Sequence, residues 1–266
     1  MKILFSLLML FPFFVFSGSS DLLVSSKRAP HESFSQAIKR VEASIPDSQR
    51  KSLLARETPV SKKVPVQQMD FSTVPVVVTY EEMMNLFQLI RDTRYLYVDD
   101  KPDFARRISW LYPDDGCFAR AALSAFKIEQ DYWVKPAKIF VFGDLVLQTS
   151  FAPDGFVSWW YHVSTAVNYM GSIYVFDPAL NPERPLLVEE WFSKMGDHRE
   201  LDGVICNSYT YAPFDNCGQI TKVNEERAVK DEAGYLKREW NRMSVLGFDP
   251  EVLLGNNPPW RGMLTQ

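Results

Sequence analysis

The sequence predicts an α+β fold, with helices ahead of an antiparallel sheet. Between residues 70 and 131 there are two amphipathic helix patterns, at about 79–91 and 117–130, whereas short alternating runs with hairpin-length connections fill 138–176. Connections that short join antiparallel neighbours and leave no room for crossover helices. Of the 266 residues 46% are hydrophobic and 14% aromatic, enough to bury a core. A formal charge of -4 lacks the basic footprint of a nucleic-acid binder, so no nucleic-acid partner is expected.

The N-terminus has the order of an export signal. Met1 and Lys2 precede an uncharged run, Ile3 to Phe16, with five phenylalanines, and Ser17, Gly18, Ser19 and Ser20 follow as small residues suited to cleavage. A membrane-spanning helix needs about 20 apolar residues, so 1–19 is assigned as a signal peptide, with no stable membrane anchor and a secreted or periplasmic destination. Residues 20–70 form a leader. From Asp21 to Met69 nine basic residues stand against five acidic ones, while the remainder from Asp70 has 19 basic against 28 acidic. Opposite charge favours association of leader and body. Ser33 and Gln36 make a capping-box pattern opening a helix whose Phe34, Ala37, Ile38 and Val41 share one face. The stretch from Glu57 to Gln68, polar and containing Pro59 and Pro65, reads as a linker with Lys62 and Lys63 open to proteases. The body is then 71–266.

Within the body, Thr79 and Glu82 cap a helix to about Arg91, with Met83, Leu86, Phe87 and Ile90 on its apolar side. After a turn at Tyr112–Gly116, Phe118, Ala121, Ala122, Ala125 and Phe126 recur with helical spacing up to Gln130. Strands are expected at Lys138–Phe142, Leu145–Thr149, Ser158–Asn168 and Ser172–Phe176, then helices at Leu187–Lys194 and Asn224–Met243.

An exported chain meets oxidising conditions, and there are three cysteines. Cys206 and Cys217, close together in a loop-rich segment, are the expected disulfide. That leaves Cys117 as a free thiol, or all three reduced with Cys117 as a small core residue. Standing in the first turn of a helix, Cys117 faces the partial positive charge of the helix terminus, which favours thiolate over thiol. Asp114 or Asp115 is expected to cap that helix.

Of the three histidines, His31 lies in the leader, His198 in a charged loop and His162 in a strand. If Met170 and Gly171 form the hairpin turn, Asp177 falls opposite Ser164 and diagonal to His162, so both side chains share a face. A three-residue loop would separate them. Each residue alone has an ordinary structural use. Together they supply a nucleophile, a base and an orienting carboxylate.

Here the sequence resembles the bacterial protein-glutaminases, which deamidate glutamine side chains within proteins. The resemblance spans roughly Thr79 to Met195. It rests on Tyr-Pro-Asp-Asp-Gly-Cys-Phe-Ala-Arg-Ala at 112–121, Phe-Val-Phe-Gly-Asp-Leu at 140–145, Trp-Tyr-His-Val at 160–163 and Phe-Asp-Pro-Ala-Leu at 176–180. It implies Cys117 as nucleophile, His162 as general base and acid, and Asp177 as the residue orienting His162. It further implies a papain-like or transglutaminase-like core, an inhibitory pro-segment, protein substrates with accessible glutamine, and chemistry with no metal or other cofactor. Family members carry more cysteines, and the region after Met195 falls outside the resemblance. A transglutaminase, a cysteine protease and an inactive binding or toxin-like module are the rival readings. Trp133, Phe156, Trp159, Trp160 and Tyr161 cluster in sequence near these residues as a possible protein-binding platform or as core, and Trp160 and Tyr161 are singled out as substrate-binding. Arg120 is expected to pair with a nearby carboxylate.

Overall fold

The structure, a computed structural model, describes residues 24–222 and 225–255; the assigned signal peptide lies outside the described residues. The chain runs through helices α1 (Phe34–Ser44), α2 (Asp47–Leu54) and α3 (Pro59–Lys62), then strands β1 (Val64–Pro65) and β2 (Val76–Val77) and helix α4 (Tyr80–Asp92). A small hairpin, β3 (Leu96–Val98) and β4 (Lys101–Arg106), leads to α5 (Cys117–Tyr132). The sheet strands β5 (Ala137–Gln148), β6 (Phe156–Tyr169), β7 (Ser172–Phe176) and β8 (Leu186–Leu187) follow, then α6 (Val188–Ser193), β9 (Asp202–Cys206), α7 (Glu225–Val245) and α8 (Pro250–Gly255). The expected α+β class is observed. The main sheet has the order β1-β9-β5-β6-β7-β8 and is antiparallel throughout, apart from β2, which adds to β6 in parallel.

Alternation along the strands gives the sheet two apolar faces. Phe140, Phe142, Tyr161 and Val163 meet α4 and α5 through Phe87, Phe118 and Ala122. Ile139, Val141, Leu145 and Trp159 meet α6 through Trp191 and Phe192. The Met170–Gly171 turn is observed, both residues at positive φ (51° and 83°), as a two-residue hairpin of right-handed twist requires. It sets Tyr169 opposite Ser172 and Thr165 opposite Phe176.

Three expectations need correction. The runs taken as two strands, Lys138–Phe142 and Leu145–Thr149, are one strand, β5, whose register on β6 shifts between Phe142 and Leu145. Gly143, at φ 150°, makes the bulge where the sequence reads as a break. The stretch from Glu57 to Gln68 is not a free linker. Thr58 and Ser61 form a capping box on α3, β1 pairs with β9, and Val60 N and Cys217 N exchange backbone hydrogen bonds with Pro213 O and Glu57 O. Lys63 is tied to Asp202 at 2.9 Å. The polar side chains of 57–68 are largely exposed, on a segment whose backbone pairs with the body. Finally, β9 and the β3–β4 hairpin were not anticipated.

The apolar face of α1 finds its partner in the body: Ala37 and Val41 are buried in one cluster with Phe142 and Trp160. The disulfide Cys206–Cys217 is present, and Cys117 is free and buried.

Candidate active site

Cys117 opens α5 after Gly116, which takes φ 88° and caps the helix without any side-chain hydrogen bond to its first-turn amides. A β-carbon at residue 116 would come within 2.7 Å of the Tyr235 ring, so both the conformation and the space demand glycine. Neither predicted aspartate caps the helix. Asp114 instead takes a two-pronged ion pair from Arg242 at 2.8 and 2.9 Å, and Asp115 Oδ1 accepts from Gly116 N at 2.8 Å and from Ser26 N and Oγ at 2.9 Å.

His162 lies in β6 and Asp177 just past β7. The observed register brings them onto one face: His162 Nε2 donates to Asp177 Oδ2 at 2.7 Å, with both side chains buried. Trp191 Nε1 donates to the same oxygen at 2.9 Å, and the Trp159 ring stacks on the imidazole with 4.7 Å between centroids. Trp159 is itself pinned by hydrogen bonds from Nε1 to Pro113 O and Asp114 O. The imidazole is thus fixed on one face by Trp159 and at Nε2 by Asp177. Its Nδ1 has no hydrogen-bond partner among the described residues, and the Cys117 sulfur is among the groups that raise the proton affinity of the ring. Burial alone would lower the His162 pKa; the Asp177 charge and hydrogen bond, then the Cys117 sulfur, overcome it and hold the group at about 9. Burial raises Asp177, but the imidazolium, the Trp191 hydrogen bond and the Arg120 charge bring it below its ordinary value. A thiol beside an imidazole kept protonated is an arrangement for nucleophilic attack followed by proton delivery.

Leader residues lie across this site. Trp160 N donates to Ser26 O and Arg28 N to Ser158 O, each at 3.0 Å, so the segment Val24–Arg28 runs as an added antiparallel strand on β6. Trp160 Nε1 donates to Ser25 O at 2.8 Å and Tyr161 Oη to Val24 O at 3.1 Å. Lys27 reaches Asp114 at 3.5 Å and Arg28 reaches Asp144 at 2.9 Å, the charge complementarity expected of leader and body. Cys117 is 1% exposed beneath this cover.

The other sequence candidates sort differently. Trp160 and Tyr161 are fully buried and touch the leader. Phe156 and Trp133 are exposed, and Trp133 ends α5, about 24 Å along the helix from Cys117 at 1.5 Å per residue. Arg120 has carbonyls for partners, not a carboxylate: Nη1 donates to Tyr112 O and Asp115 O at 3.1 and 2.7 Å. It braces the loop before Cys117. His198 and His31 are exposed, away from these groups. Trp191 was missed, because nothing in its helix marks a hydrogen bond to a carboxylate 14 residues earlier.

Residues 83–195 match the family model described as glutaminase. Over that segment the chain resembles the protein-glutaminases. Glutaminases are amidohydrolases, and the match supports that class of enzyme here. Among curated proteins none matches. Among solved structures, protein-glutaminase is 19% identical, with 69% of this chain and 91% of that one covered at a TM-score of 0.45. A pro-protein-glutaminase is 19% identical, covering 71% and 68% at 0.49, and the protein-glutaminase of Chryseobacterium proteolyticum is 21% identical, covering 65% and 89% at 0.45. Among the described residues no helix is long and apolar enough to cross a membrane.

Proposed function

We propose that the protein is an exported protein-glutamine glutaminase, made with an inhibitory pro-segment and acting through a Cys117–His162–Asp177 triad on a papain-like or transglutaminase-like core. The observation carrying this reading is the buried His162–Asp177 hydrogen bond, with Cys117 among the groups that raise the His162 pKa, inside the segment that matches glutaminases. The Cys117 thiolate attacks the glutamine carboxamide carbon, forming the S–C bond and a tetrahedral oxyanion. His162 delivers its proton to nitrogen, the C–N bond breaks, and ammonia leaves a thioester. Neutral His162 then takes a proton from water as its oxygen adds to the thioester carbon. Collapse releases glutamate and restores the thiolate. Asp177 keeps the imidazole oriented and stabilises its charged form. No step calls for a cofactor.

The leader is the pro-segment of this reading. Its strand Val24–Arg28 and helix α1 cover the site, and its cover is held by carbonyl contacts from Trp160 and Tyr161, the residues proposed to meet a protein substrate. Because α3, β1 and the backbone bonds of Glu57 and Val60 knit 57–69 to the body, the removable part ends before Glu57. The test is ammonia release from a glutamine-containing protein by full-length chain before and after limited proteolysis, with and without an added primary amine. Ammonia release that rises on processing and is lost in Cys117→Ser supports the reading. Amine incorporation outpacing ammonia would make it a transglutaminase, backbone cleavage a protease, and no turnover a binding module.

A further inference from the structure

The chemistry proposed above builds negative charge on a carbonyl oxygen and needs a donor aimed at it. No residue named so far supplies one. His162 is engaged at Nε2 and serves the leaving group from Nδ1, Arg120 holds the Tyr112 and Asp115 carbonyls through Nη1 while its Nη2 is left without a partner among the described residues, and Trp159 and Trp191 donate to other oxygens.

We propose that the Tyr161 hydroxyl is the side-chain donor that stabilises this oxyanion, acting with backbone N–H groups at the start of α5. It rests on the reading of Cys117 as an acyl-transfer nucleophile. Three observations point to it. Tyr161 is fully buried, its ring packed in the core with Phe142 and Trp160, so its hydroxyl has one fixed position. That hydroxyl already donates to a carbonyl oxygen, Val24 O, at 3.1 Å, in the extended segment lying over the site. Cys117 is buried in the same cluster as Tyr161, and its sulfur is among the groups that raise the phenol's pKa. A buried donor in the cluster of Cys117 that already holds a carbonyl oxygen is placed as an oxyanion donor must be. When the leader leaves, the hydroxyl loses the Val24 carbonyl and is ready for the next carbonyl presented to Cys117. Burial first, and then the Cys117 charge, push the phenol well above its ordinary pKa, so it stays an O–H donor throughout the working range. The oxyanion hydrogen-bonds to this neutral hydroxyl without taking its proton. On collapse the electron pair returns to the carbonyl as the C–N bond breaks.

The experiment separates attack on a carbonyl from attack on a saturated carbon. Full-length wild type and Tyr161→Phe are folded, processed by the same limited proteolysis and given two probes: a p-nitrophenyl ester, whose acylation of Cys117 passes through an oxyanion and releases nitrophenolate in a burst, and iodoacetamide, whose alkylation forms an S–C bond, expels iodide and makes no oxyanion. We expect the burst rate to fall about 10²- to 10³-fold in Tyr161→Phe, the scale of losing one oxyanion donor, with the alkylation rate unchanged. A fall in both rates by the same factor would assign Tyr161 to the thiolate or to general structure and overturn the proposal, as would no fall in either. Should Tyr161→Phe not fold, fluorotyrosine at position 161 keeps the shape and alters only donor acidity; a burst rate indifferent to that acidity equally overturns it. Wild type that bursts with the ester yet releases no ammonia from proteins would remove the glutaminase reading and leave the role of Tyr161 standing.

Discussion

Replacing Asp177 by Asn removes one charge from a carboxylate that takes two hydrogen bonds, from His162 at 2.7 Å and Trp191 at 2.9 Å. The change is nearly isosteric, so it tests electrostatics more than packing. His162 is held at about 9 against an ordinary 6.5. At 1.36 kcal/mol for each tenfold in proton affinity, this is on the order of 3 kcal/mol of net stabilisation of the imidazolium. Because burial opposes it, the contribution of Asp177 is at least comparable. Without that charge burial dominates, the imidazole becomes neutral at pH 7, and Cys117 loses a positive neighbour. Activity of the processed enzyme at pH 7 should fall by a factor of about 10² or more, up to the ~10⁴ seen when a triad carboxylate is neutralised. Initial rates of ammonia release from pH 5 to 10 would measure it. Stability follows the same sign: a raised histidine pKa contributes stability that is whole below about 6.5 and is lost as pH rises through about 9. The stability gap between wild type and Asp177→Asn should therefore narrow on the alkaline side. A variant retaining more than about a tenth of wild-type activity with an unchanged pH profile would refute the assignment of Asp177 as the group that charges His162.

Gly116→Ala forces an L-residue into φ 88° and a β-carbon against Tyr235, and should cost about 1–3 kcal/mol in urea unfolding together with a loss of activity. Lys138, fully buried with Nζ donating to Thr210 O at 2.7 Å, is held near 7 by burial, so its charging opposes folding increasingly as pH falls from about 10 towards 7. Lys138→Met should then be more stable than wild type at pH 6, with the difference shrinking at pH 9; thermal melts at both values decide it. In the unprocessed chain, Asp144→Ala removes the acceptor of Phe34 N and Arg28 and should quicken labelling of Cys117 by iodoacetamide. Removing the Cys206–Cys217 bridge by a double Ser substitution should cost about 2–3 kcal/mol, a closed loop of that size being worth roughly this much, read from denaturant midpoints with and without reductant.

What the sequence disclosed was local or fixed by a period. The Met170–Gly171 turn determined the register that joins His162 to Asp177, because a two-residue loop allows one pairing only. Cys117 was marked by its helix start, and α4 by its cap at Thr79. What stayed hidden depends on partners distant in the chain. Glu232 and Glu239 stand in a highly charged helix, yet both are buried and accept the backbone amides of Ser109 at 2.6 Å and Leu111 at 2.8 Å. Gly143 read as a break because a bulge and a turn share the same residue preference. The polar stretch 57–68 gave no sign of its edge pairing, which β9 supplies from 140 residues further on.

The helix α7 lies beyond residues 83–195, and yet the position of Cys117 depends on it. The loop from Arg106 to Gly116 has little regular structure of its own and must deliver Cys117 with the precision that attack requires. Four contacts from one side of α7 hold it: Glu232 and Glu239 take its amides, Arg242 takes Asp114, and Tyr235 lies against Gly116. From the opposite direction Arg120 takes the carbonyls of Tyr112 and Asp115. A loop bound at both its amides and its carbonyls has few alternative conformations, which is the condition for a preorganised site. Glu232 shows the cost: burial raises its pKa to about 7, so its ionisation opposes folding increasingly between about 4.5 and 7. Glu232→Gln keeps an acceptor for Ser109 N and removes the charge, so it should be more stable than wild type at pH 8 by about 1–3 kcal/mol, with no such gain at pH 4. It should also lower kcat, since the amide presents a donor towards the Arg120 side where the carboxylate presented charge. Stability curves at the two pH values and steady-state rates on the processed enzyme test both parts. A variant less stable at pH 8 than at pH 4 relative to wild type would mean that Glu232 is satisfied as a carboxylate, and that the clamp holds the loop without opposing the fold.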